Sequence, residues 1–389
     1  MDEIKQLNEI GQIITGNTPK TSDERNYNSN DICFVKPGDI EESKLVTLTD
    51  TEAHIAEYAR SKARILPKRS VLVTCIGIIG KVAVNEMECA FNQQINAIIP
   101  DEKICHYKFL GYALLAKRKM IQDMANAPVV PILNKSQFSN VKIKVPSIKE
   151  QLRMVSCLET VDKLIDKRNQ EIEKLDELVK SRFIEMFGDP VINPKNYPIR
   201  KLSDYIDSLT SGSRGWAKYF DDNGKEWFIT IKNVKDGKIL LDNMQKISPP
   251  NNAEARRTKV KNGDLLISIT ADLGRTAVVS DDIEKHGAYI NQHLTCVRLN
   301  RNTVNPKYIS FYLESEAGKR QFEAKNQSAV KAGLNFNAIK NLLIVVPSLM
   351  KQNQFVDFRE NIDKSKLAIQ KSLDDLETLK KSLMQQYFG

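Results

Sequence analysis

The sequence has few of the residues from which disulfide frameworks and metal sites are built. Its 389 residues include six cysteines and four histidines, and no Cys-x-x-Cys, His-x-His or His-Glu-x-x-His spacing occurs. This usage is typical of reduced thiols in a cytoplasmic protein and predicts neither disulfides nor a metal site. The longest apolar runs, Ile76–Ile79 and Leu342–Val346, are far too short to cross a bilayer. The start of the chain has no basic and apolar leader, so we expect no secretory signal and no membrane contact.

Motifs for catalysis are also lacking. The sequence contains no Gly-x-x-x-x-Gly-Lys-Ser/Thr loop and no dinucleotide-binding glycine fingerprint. Glycines in Ile76–Lys81 lack the spacing of a phosphate loop and favour a turn between strands. The Asn193–Tyr197 segment differs from the Asn-Pro-Pro-Tyr motif of adenine methyltransferases and is interpreted as linker. Asp31 with Glu42 and Lys44 matches a nuclease pattern only at the level of chance. We therefore predict no catalytic residues and favour a binding protein.

The charge that is present is unevenly distributed. The chain has 58 Lys and Arg against 49 Asp and Glu, a net charge of +9. Residues 1–149 carry +3 and residues 195–350 carry +8, whereas 150–194 carry −3 and 351–389 carry +1. Two basic segments separated by a nearly neutral or acidic one are compatible with a polyanion partner, most often nucleic acid.

The chain contains an internal repeat whose offset varies only from 194 to 201 residues. Short motifs recur in the same order in both halves, and two copies of one unit account for the sequence. The matching pairs are Ile4–Asn8 with Ile199–Ser203, Leu72–Thr74 with Leu266–Ser268, Gly80–Val84 with Gly274–Val278, Asn92–Ile95 with Asn291–Leu294, Leu133–Asn134 with Leu334–Asn335, Val145–Ser147 with Val346–Ser348, and Phe187–Gly188 with Phe388–Gly389.

Each copy begins with short β-type runs bounded by turn residues, which predict a small twisted sheet. A helical stretch follows, then a strand that ends in Val-Pro-Ser. The predicted strands are Ile32–Val35, Ser70–Ile76, Lys81–Val84 and Ile95–Ile99 in the first copy, and Phe228–Ile231, Asp264–Ile269, Thr276–Val279 and Leu294–Leu299 in the second; the predicted helices are His106–Ala125 and Pro306–Ala324.

Two long segments, Lys149–Phe187 and Met350–Phe388, contain neither proline nor glycine and are each followed by glycine. Apolar residues recur in steps of seven, with companions such as Leu379 beside them. Helices of this length would extend roughly 55 Å, so we expect them to pair as an antiparallel coiled coil, although two ordinary amphipathic helices are the alternative. The predicted seam consists of Leu158, Ile165, Ile172, Val179, Phe355, Ile362, Ile369, Leu376 and Leu383.

Duplex DNA suits a duplicated basic module, because phosphates orient a protein and base edges identify the sequence. Base discrimination uses Arg, Lys, Asn, Gln, Ser and Thr side chains on loops. Each such residue could instead belong to an ordinary polar turn. The DNA-binding candidates are Thr15, Asn17, Thr18, Lys20, Thr74, Lys81, Asn92, Gln93, Gln94, Asn134 and Lys135 in the first copy, and Ser211, Ser213, Arg214, Ser268, Thr270, Arg275, Asn291, Gln292, His293, Lys331 and Asn335 in the second.

Taken together, these motifs resemble the specificity subunit of a type I DNA restriction–modification system. The resemblance covers essentially the whole chain and rests on the duplication, on the Val-Pro-Ser-x-x-x-Gln entry to each long helix (Val145–Gln151 and Val346–Gln352), and on the proline-rich connector Phe187–Pro198. It implies an α+β fold: two small mixed-sheet target recognition domains joined by two long helices. The implied boundaries are 1–149 and 199–349 for the recognition domains, 150–188 and 350–389 for the helices, and 189–198 for the connector.

The resemblance also implies partners. Each recognition domain would read one half of a bipartite site in double-stranded DNA, and the unequal charge of the two domains favours an asymmetric site. The helices would set the spacing and bind two methyltransferase subunits that methylate adenine, joined by restriction–translocase subunits. S-adenosylmethionine, ATP and Mg²⁺ would belong to those partners and not to this chain. Two alternatives stay open: a specificity subunit of a fused nuclease–methyltransferase system, and a coiled-coil adaptor without sequence-specific DNA binding.

Overall fold

The computed structural model describes residues 3–125, 131–327 and 333–389. The chain forms two compact units: unit 1 holds Met1–Gln170 and Gln370–Gly389, and unit 2 holds Glu171–Ile369. Within the described ranges, no helix is both long enough and apolar enough to span a membrane.

Unit 1 is built on two small sheets and a two-stranded ladder. One sheet has the order β2-β10-β7-β8-β4 and the other the order β5-β3-β9-β6, whereas β1 pairs antiparallel with β11. The strands are β1 (Glu3–Gln6), β2 (Gly11–Thr15), β3 (Ile32–Val35), β4 (Val46–Leu48), β5 (His54–Ile55), β6 (Ile65–Leu66), β7 (Val71–Thr74), β8 (Val82–Asn85), β9 (Cys89–Phe91), β10 (Ile95–Pro100) and β11 (Lys142–Val145).

The helices of unit 1 cover one face of the larger sheet. Strands β7 and β8 are buried along their whole length, as their continuous apolar sequences require. Phe109 and Leu110 pack against them in a core that also includes Leu158 of the first long helix. The helices are α1 (Leu7–Ile10), α2 (Tyr107–Ala116), α3 (Arg118–Met124), α4 (Lys135–Ser139) and α5 (Ile148–Phe187), of which α5 continues into unit 2.

Unit 2 repeats this plan. Its main sheet has the order β13-β21-β18-β19, a second sheet has the order β17-β14-β20, and β12 pairs antiparallel with β22. Two further short strands, β15 and β16, form a hairpin. The strands are β12 (Ile199–Lys201), β13 (Ile206–Ser211), β14 (Glu226–Ile229), β15 (Val234–Lys235), β16 (Lys238–Ile239), β17 (Gln245–Ile247), β18 (Leu265–Ser268), β19 (Thr276–Val278), β20 (Ala288–Ile290), β21 (Leu294–Leu299) and β22 (Leu343–Val345); the helices are α6 (Ala253–Thr258), α7 (Asp281–His286), α8 (Pro306–Glu314), α9 (Glu316–Gln327), α10 (Phe336–Lys340) and α11 (Leu349–Phe388).

The predicted α+β class and internal duplication are confirmed. Unit 1 contains the parallel pairs β3–β9 and β4–β8 among antiparallel ones, and unit 2 contains the parallel pair β14–β20. Each of the eight predicted strands coincides with an observed strand to within a few residues.

The helical stretch predicted after each sheet is present, but each is divided into two helices. His106–Ala125 divides into α2 and α3 at Lys117, whose ψ of 10° leaves the helical region. Pro306–Ala324 divides into α8 and α9 at Ser315, which is extended, with ψ at 169°. The Ser315 hydroxyl donates to the carbonyl of Tyr312 at 2.6 Å. Serine offers the backbone this alternative to helix continuation, and apolar periodicity alone does not reveal the break.

The Val-Pro-Ser-x-x-x-Gln motif fixes the start of each long helix. The side chain of Gln151 is fully buried; its Oε1 accepts from the backbone N–H of His106 at 2.8 Å, and its Nε2 donates to the carbonyls of Ile104 and Pro146. Gln352 is equally buried, accepts from Asn305 N at 2.9 Å and donates to Pro347 O at 2.8 Å. The glutamine therefore ties the helix entry to the loop before α2 or α8.

The long helices pair in antiparallel order within each unit. In unit 1, Lys380 of α11 lies 2.5 Å from Asp162 of α5, and Leu383 to Phe388 pack against the core that contains Leu158. In unit 2, Lys366 lies 2.6 Å from Asp176, and the ring of Phe355 contacts that of Phe183 with centroids 5.2 Å apart. Antiparallel coiled-coil pairing is the arrangement expected for these heptads.

The predicted seam residues are all at least partly buried: Leu158, Val179 and Phe355 fully, and Ile165, Ile172, Ile362, Ile369, Leu376 and Leu383 partly. Their companion Leu379 is different, since 46% of it is exposed. Leu373, which the heptad step did not include, is buried instead. The predicted step of α11 thus faces inward, but the companion beside it is Leu373 and not Leu379.

Candidate nucleic-acid interface

The loop that follows the first long strand of each main sheet contains a glycine forced by close backbone approach. A Cβ on Gly16 would lie 2.0 Å from the carbonyl oxygen of Asn92, and a Cβ on Gly212 would lie 1.9 Å from that of Asn291. Only glycine fits at such a distance. The Thr-Gly and Ser-Gly loops are therefore held against the Asn-Gln turns that precede β10 and β21.

The asparagines of those turns have a structural role. The side-chain oxygen of Asn92 accepts from Gln94 N at 3.1 Å, and that of Asn291 accepts from His293 N at 3.2 Å. In the first unit Asn92 Nδ2 also donates to Gln94 Oε1. Both asparagines shape a turn through local side-chain bonds, and the glutamine between, Gln93 or Gln292, lies at the turn's tip.

Thr74 and Ser268 are buried and close the hairpins that follow β7 and β18. Thr74 Oγ1 donates to Ile78 O and accepts from Lys81 N at 3.0 Å. Ser268 Oγ likewise donates to Asp272 O and accepts from Arg275 N at 3.0 Å. Both hydroxyls are used within the turn, so their recurrence in the two copies has a structural cause. The glycine-containing turn predicted between the strands of the first copy is confirmed.

Several further candidates are also engaged within their own unit. Asn17 bridges to the backbone of Lys62 and Arg64, at 2.8 and 2.7 Å. Lys81 Nζ donates to Pro37 O, and buried Ser213 bonds Thr258. The others engaged in this way are Thr15 with Asn96, Thr270 with His293, Arg275 with Asp272, and Asn134 and Asn335 as N-caps of α4 and α10.

The side chains that stay accessible in unit 1 are few. Thr18 and Gln93 are exposed and bonded to each other at 2.6 Å, Oγ1 to Oε1. Lys20 and Lys135 are exposed and make no side-chain hydrogen bond or ion pair with any residue that the structure describes. This group can offer amide and hydroxyl donors and acceptors together with two free cations.

In unit 2, four candidates line one open cleft of about 690 Å³. Ser211, Arg214, Gln292 and Asn335 share its wall with Glu254. Arg214 is exposed, and within the described ranges its guanidinium has no hydrogen-bond or ionic partner. The cleft therefore combines an arginine fork, a carboxylate and the amides of Gln292, Asn335 and Asn337, which are the kinds of group that read base edges. Lys331, the remaining candidate, lies outside the described residues.

A matched pair of arginines lies beside these loops: Arg64, which the sequence did not single out, and Arg257, which the sequence offers within the basic cluster Arg256–Arg257 as a phosphate contact and not as a base reader. Arg64 Nη1 donates to the carbonyl of Thr15, and Arg257 Nη1 donates to that of Ser211 at 2.7 Å. Each guanidinium thus reaches the residue before the loop glycine, Gly16 or Gly212, while remaining exposed. The two arginines share no obvious local motif, so only the fold reveals their equivalence. Their remaining N–H groups are suited to phosphate contact.

Many other basic groups are neutralised internally. Arg25 and Lys62 both bond to Asp23, and these bonds hold the pKa of its carboxyl well below the usual range. Arg118, from the basic cluster 117–119, bonds to Glu42 at 2.9 Å and lowers the pKa of that carboxyl. In unit 2, Arg298 bonds to buried Asp264 with two hydrogen bonds of 2.7 and 2.6 Å. Net charge alone therefore overstates the number of cations available to a polyanion.

The matching family model and the similar known proteins belong to one family. The model of the family described as "Type I restriction modification DNA specificity domain" matches residues 2–176 and again 194–378. The chain is 26% identical over 253 residues to the type I restriction enzyme MjaIX specificity subunit of Methanocaldococcus jannaschii, which covers 60% of this chain and 58% of that protein. It is 32% identical over 182 residues to the HindI specificity subunit of Haemophilus influenzae, which covers 44% of this chain and 39% of that protein.

These two matches thus span about two fifths to three fifths of the length of the curated relatives. A solved structure resembles the whole chain: the S subunit of a type I restriction-modification system from M. genitalium. That comparison has a TM-score of 0.62 at 13% identity and covers 100% of this chain and 96% of the other. At this identity the likeness establishes the fold.

Proposed function

Because the chain belongs to the family of type I restriction modification DNA specificity domains, we propose that its two units each read one half of a bipartite site in double-stranded DNA. The family resemblance drawn from the sequence is thereby confirmed. The observation that carries the proposal is the duplication: each unit presents a glycine-constrained loop beside an Asn-Gln turn, with an exposed arginine bonded to that loop.

In unit 2 we assign base reading to the cleft. An arginine can bond two acceptors of guanine, glutamine or asparagine can bond adenine, and a carboxylate can accept from cytosine. Arg214, Gln292 and Glu254 supply these three kinds of group on one surface, since the side-chain oxygen of Asn335 is already used to cap α10. In unit 1 we assign the same role to Thr18, Gln93 and Lys135. Arg64 and Arg257 would bind phosphates and orient the loops.

The two half-sites would differ in sequence. Arg214 follows the Ser-Gly loop of unit 2 at the position where unit 1 has Thr18, which is bonded to Gln93. A free guanidinium and an internally bonded hydroxyl present different hydrogen-bonding patterns to a base pair. The site as a whole is therefore asymmetric.

The long helices would set the spacing between the half-sites and bind two methyltransferase subunits, with restriction–translocase subunits joining them. The chain itself would be non-catalytic. Adenine methylation would be carried out by the partners, which would also hold S-adenosylmethionine, ATP and Mg²⁺. Recognition and chemistry are then separated between chains.

The test is methylation-resolving sequencing of DNA from cells that express the chain together with a methyltransferase subunit of a type I system. Cells with the methyltransferase alone are the control. We expect methyladenine at one bipartite, asymmetric motif only when both are present. A motif that is independent of this chain would contradict sequence recognition and favour an adaptor role.

A further inference from the structure

One cluster of side chains in unit 1 is unrelated to the DNA-reading loops. Among the residues that the structure describes, Cys33, Asp50 and His54 form the one group of at least three Cys, His or acidic residues whose ligand atoms all lie within 4.8 Å of one another. Their spacing in sequence matches no metal motif, which is why the cysteine and histidine pattern predicted no site. The fold brings them together.

The backbone holds all three side chains in place. Cys33 in β3 lies directly opposite His54 in β5, and opposed residues of an antiparallel pair project from the same face. Asp50 belongs to the segment that leads into β5, and its Oδ1 accepts from Thr51 N at 2.8 Å. Thr51 in turn accepts from Phe34 N and donates to Ala53 O, so it attaches this segment to the strand that carries Cys33.

The three ligand atoms form a compact triangle. His54 Nε2 lies 3.0 Å from Asp50 Oδ1 and 3.8 Å from Cys33 Sγ, and Cys33 Sγ lies 3.5 Å from Asp50 Oδ1. Zinc bonds of about 2.3 Å to sulfur and about 2.0–2.2 Å to nitrogen and oxygen place tetrahedral ligand atoms roughly 3.4–3.6 Å apart. The observed triangle needs shifts of a few tenths of an ångström to meet that geometry.

The arrangement is unsuited to a nucleophilic relay. In a Cys-His-Asp relay the imidazole contacts the nucleophile through one ring nitrogen and the carboxylate through the other. Here the sulfur and the carboxylate oxygen both face His54 Nε2. Three atoms that converge on one point are suited to a shared cation.

We propose that Cys33, Asp50 and His54 bind one Zn²⁺ ion, with a solvent molecule as the fourth ligand. Thiolate, imidazole and carboxylate are all common zinc ligands, and the Asp50 side chain, 77% exposed, leaves the site open to solvent. The ion fastens the segment before β5 to the edge strand pair β3–β5. In the described part of unit 2 the matching place holds no such group, because Trp227 takes the position of Cys33 and its ring stacks on that of His286, with centroids 3.5 Å apart.

The experiment uses the purified full-length chain, treated with chelator and then titrated with Co²⁺ and Zn²⁺. We expect binding of one equivalent of Co²⁺ with a thiolate-to-cobalt charge-transfer band, loss of the band when Zn²⁺ is added, and a higher midpoint of thermal unfolding with Zn²⁺. Cys33→Ser should abolish the band and weaken zinc binding by at least about tenfold, because a ligand is lost.

The matched control is Cys157→Ser, since Cys33 and Cys157 are the cysteines that are not fully buried. It should bind Co²⁺ as the unchanged chain does. If Cys33→Ser does not fold, Asp50→Asn tests the same site at an exposed position and should weaken binding. Absence of stoichiometric binding, or a charge-transfer band that survives in Cys33→Ser, would overturn the proposal. The outcome is separate from the proposed function, because none of these three residues is among those assigned to DNA reading.

Discussion

The buried glutamines at the start of the long helices allow a quantitative prediction. Gln151 makes three hydrogen bonds to the backbone, and Gln352 makes two. Replacing either with alanine leaves a backbone N–H, that of His106 or Asn305, without its partner. A buried donor without a partner lowers the free energy of unfolding by about 1–3 kcal/mol, and the loss of each further neutral hydrogen bond lowers it by about 0.5–1.5 kcal/mol.

We therefore expect Gln151→Ala to destabilise unit 1 by about 2–6 kcal/mol and Gln352→Ala to destabilise unit 2 by about 1.5–4.5 kcal/mol. The larger effect falls on unit 1 because Gln151 makes the additional bond to Ile104 O. A loss of about 2–6 kcal/mol raises the population of opened states by roughly 30- to 20,000-fold.

Hydrogen exchange followed by mass spectrometry separates the two units, because each yields its own peptides. Gln151→Ala should accelerate exchange around residues 104–114, and Gln352→Ala should accelerate it around 303–313. The control is Gln170→Ala, an exposed glutamine on the same helix as Gln151, which should change stability by less than about 0.5 kcal/mol. If Gln151→Ala matches that control, the motif does not fix the helix entry and the reasoning fails.

Three further outcomes follow from named contacts. Arg214→Ala should weaken binding of the chain to its DNA target by about 1–3 kcal/mol without loss of stability, as measured by fluorescence anisotropy of the complex with its methyltransferase. The control Arg320→Ala removes an exposed ion pair with Glu316 and should have little effect on DNA binding. Equal losses of DNA affinity in the two variants would contradict base reading by the cleft. Gly212→Ala should lower the midpoint of thermal unfolding, because the added Cβ would lie 1.9 Å from the carbonyl oxygen of Asn291. An unchanged midpoint would show that the loop moves away from Asn291 without cost. Burial raises the pKa of Glu314, so the folded state favours the protonated carboxyl, and the free energy of unfolding should fall as pH rises from about 4.5 through the folded-state pKa. Glu314→Gln should flatten that decline in urea titrations at several pH values. An unaltered dependence of stability on pH would contradict the assignment.

Periodicity predicted the elements that depend on local sequence. The observed strands β3 and β21 coincide with the predicted apolar runs Ile32–Val35 and Leu294–Leu299, and the long helices begin within one residue of their predicted starts. These segments carry strong periodic patterns bounded by turn residues or proline. The repeat then predicted the architecture of unit 2 from that of unit 1.

Tertiary contacts account for what sequence did not reveal. The break at Ser315 and the exposure of Leu379 depend on local bonding and on the partner helix, which a heptad count ignores. Recurrence in both copies marked Thr74 as a candidate for DNA contact, although its hydroxyl closes a buried turn. Arg64 carried no recurrent motif and was missed, because its role is set by a contact 49 residues away in sequence.

The central claim is that each unit reads its own half of the DNA site. The most direct measurement exchanges residues 1–149 for the recognition domain of another family member and determines the methylated motif in cells that also express the methyltransferase. The account predicts that one half of the motif changes while the other half and the gap between them stay the same. A hybrid that changes both halves, or neither, would contradict the division of recognition between the two units.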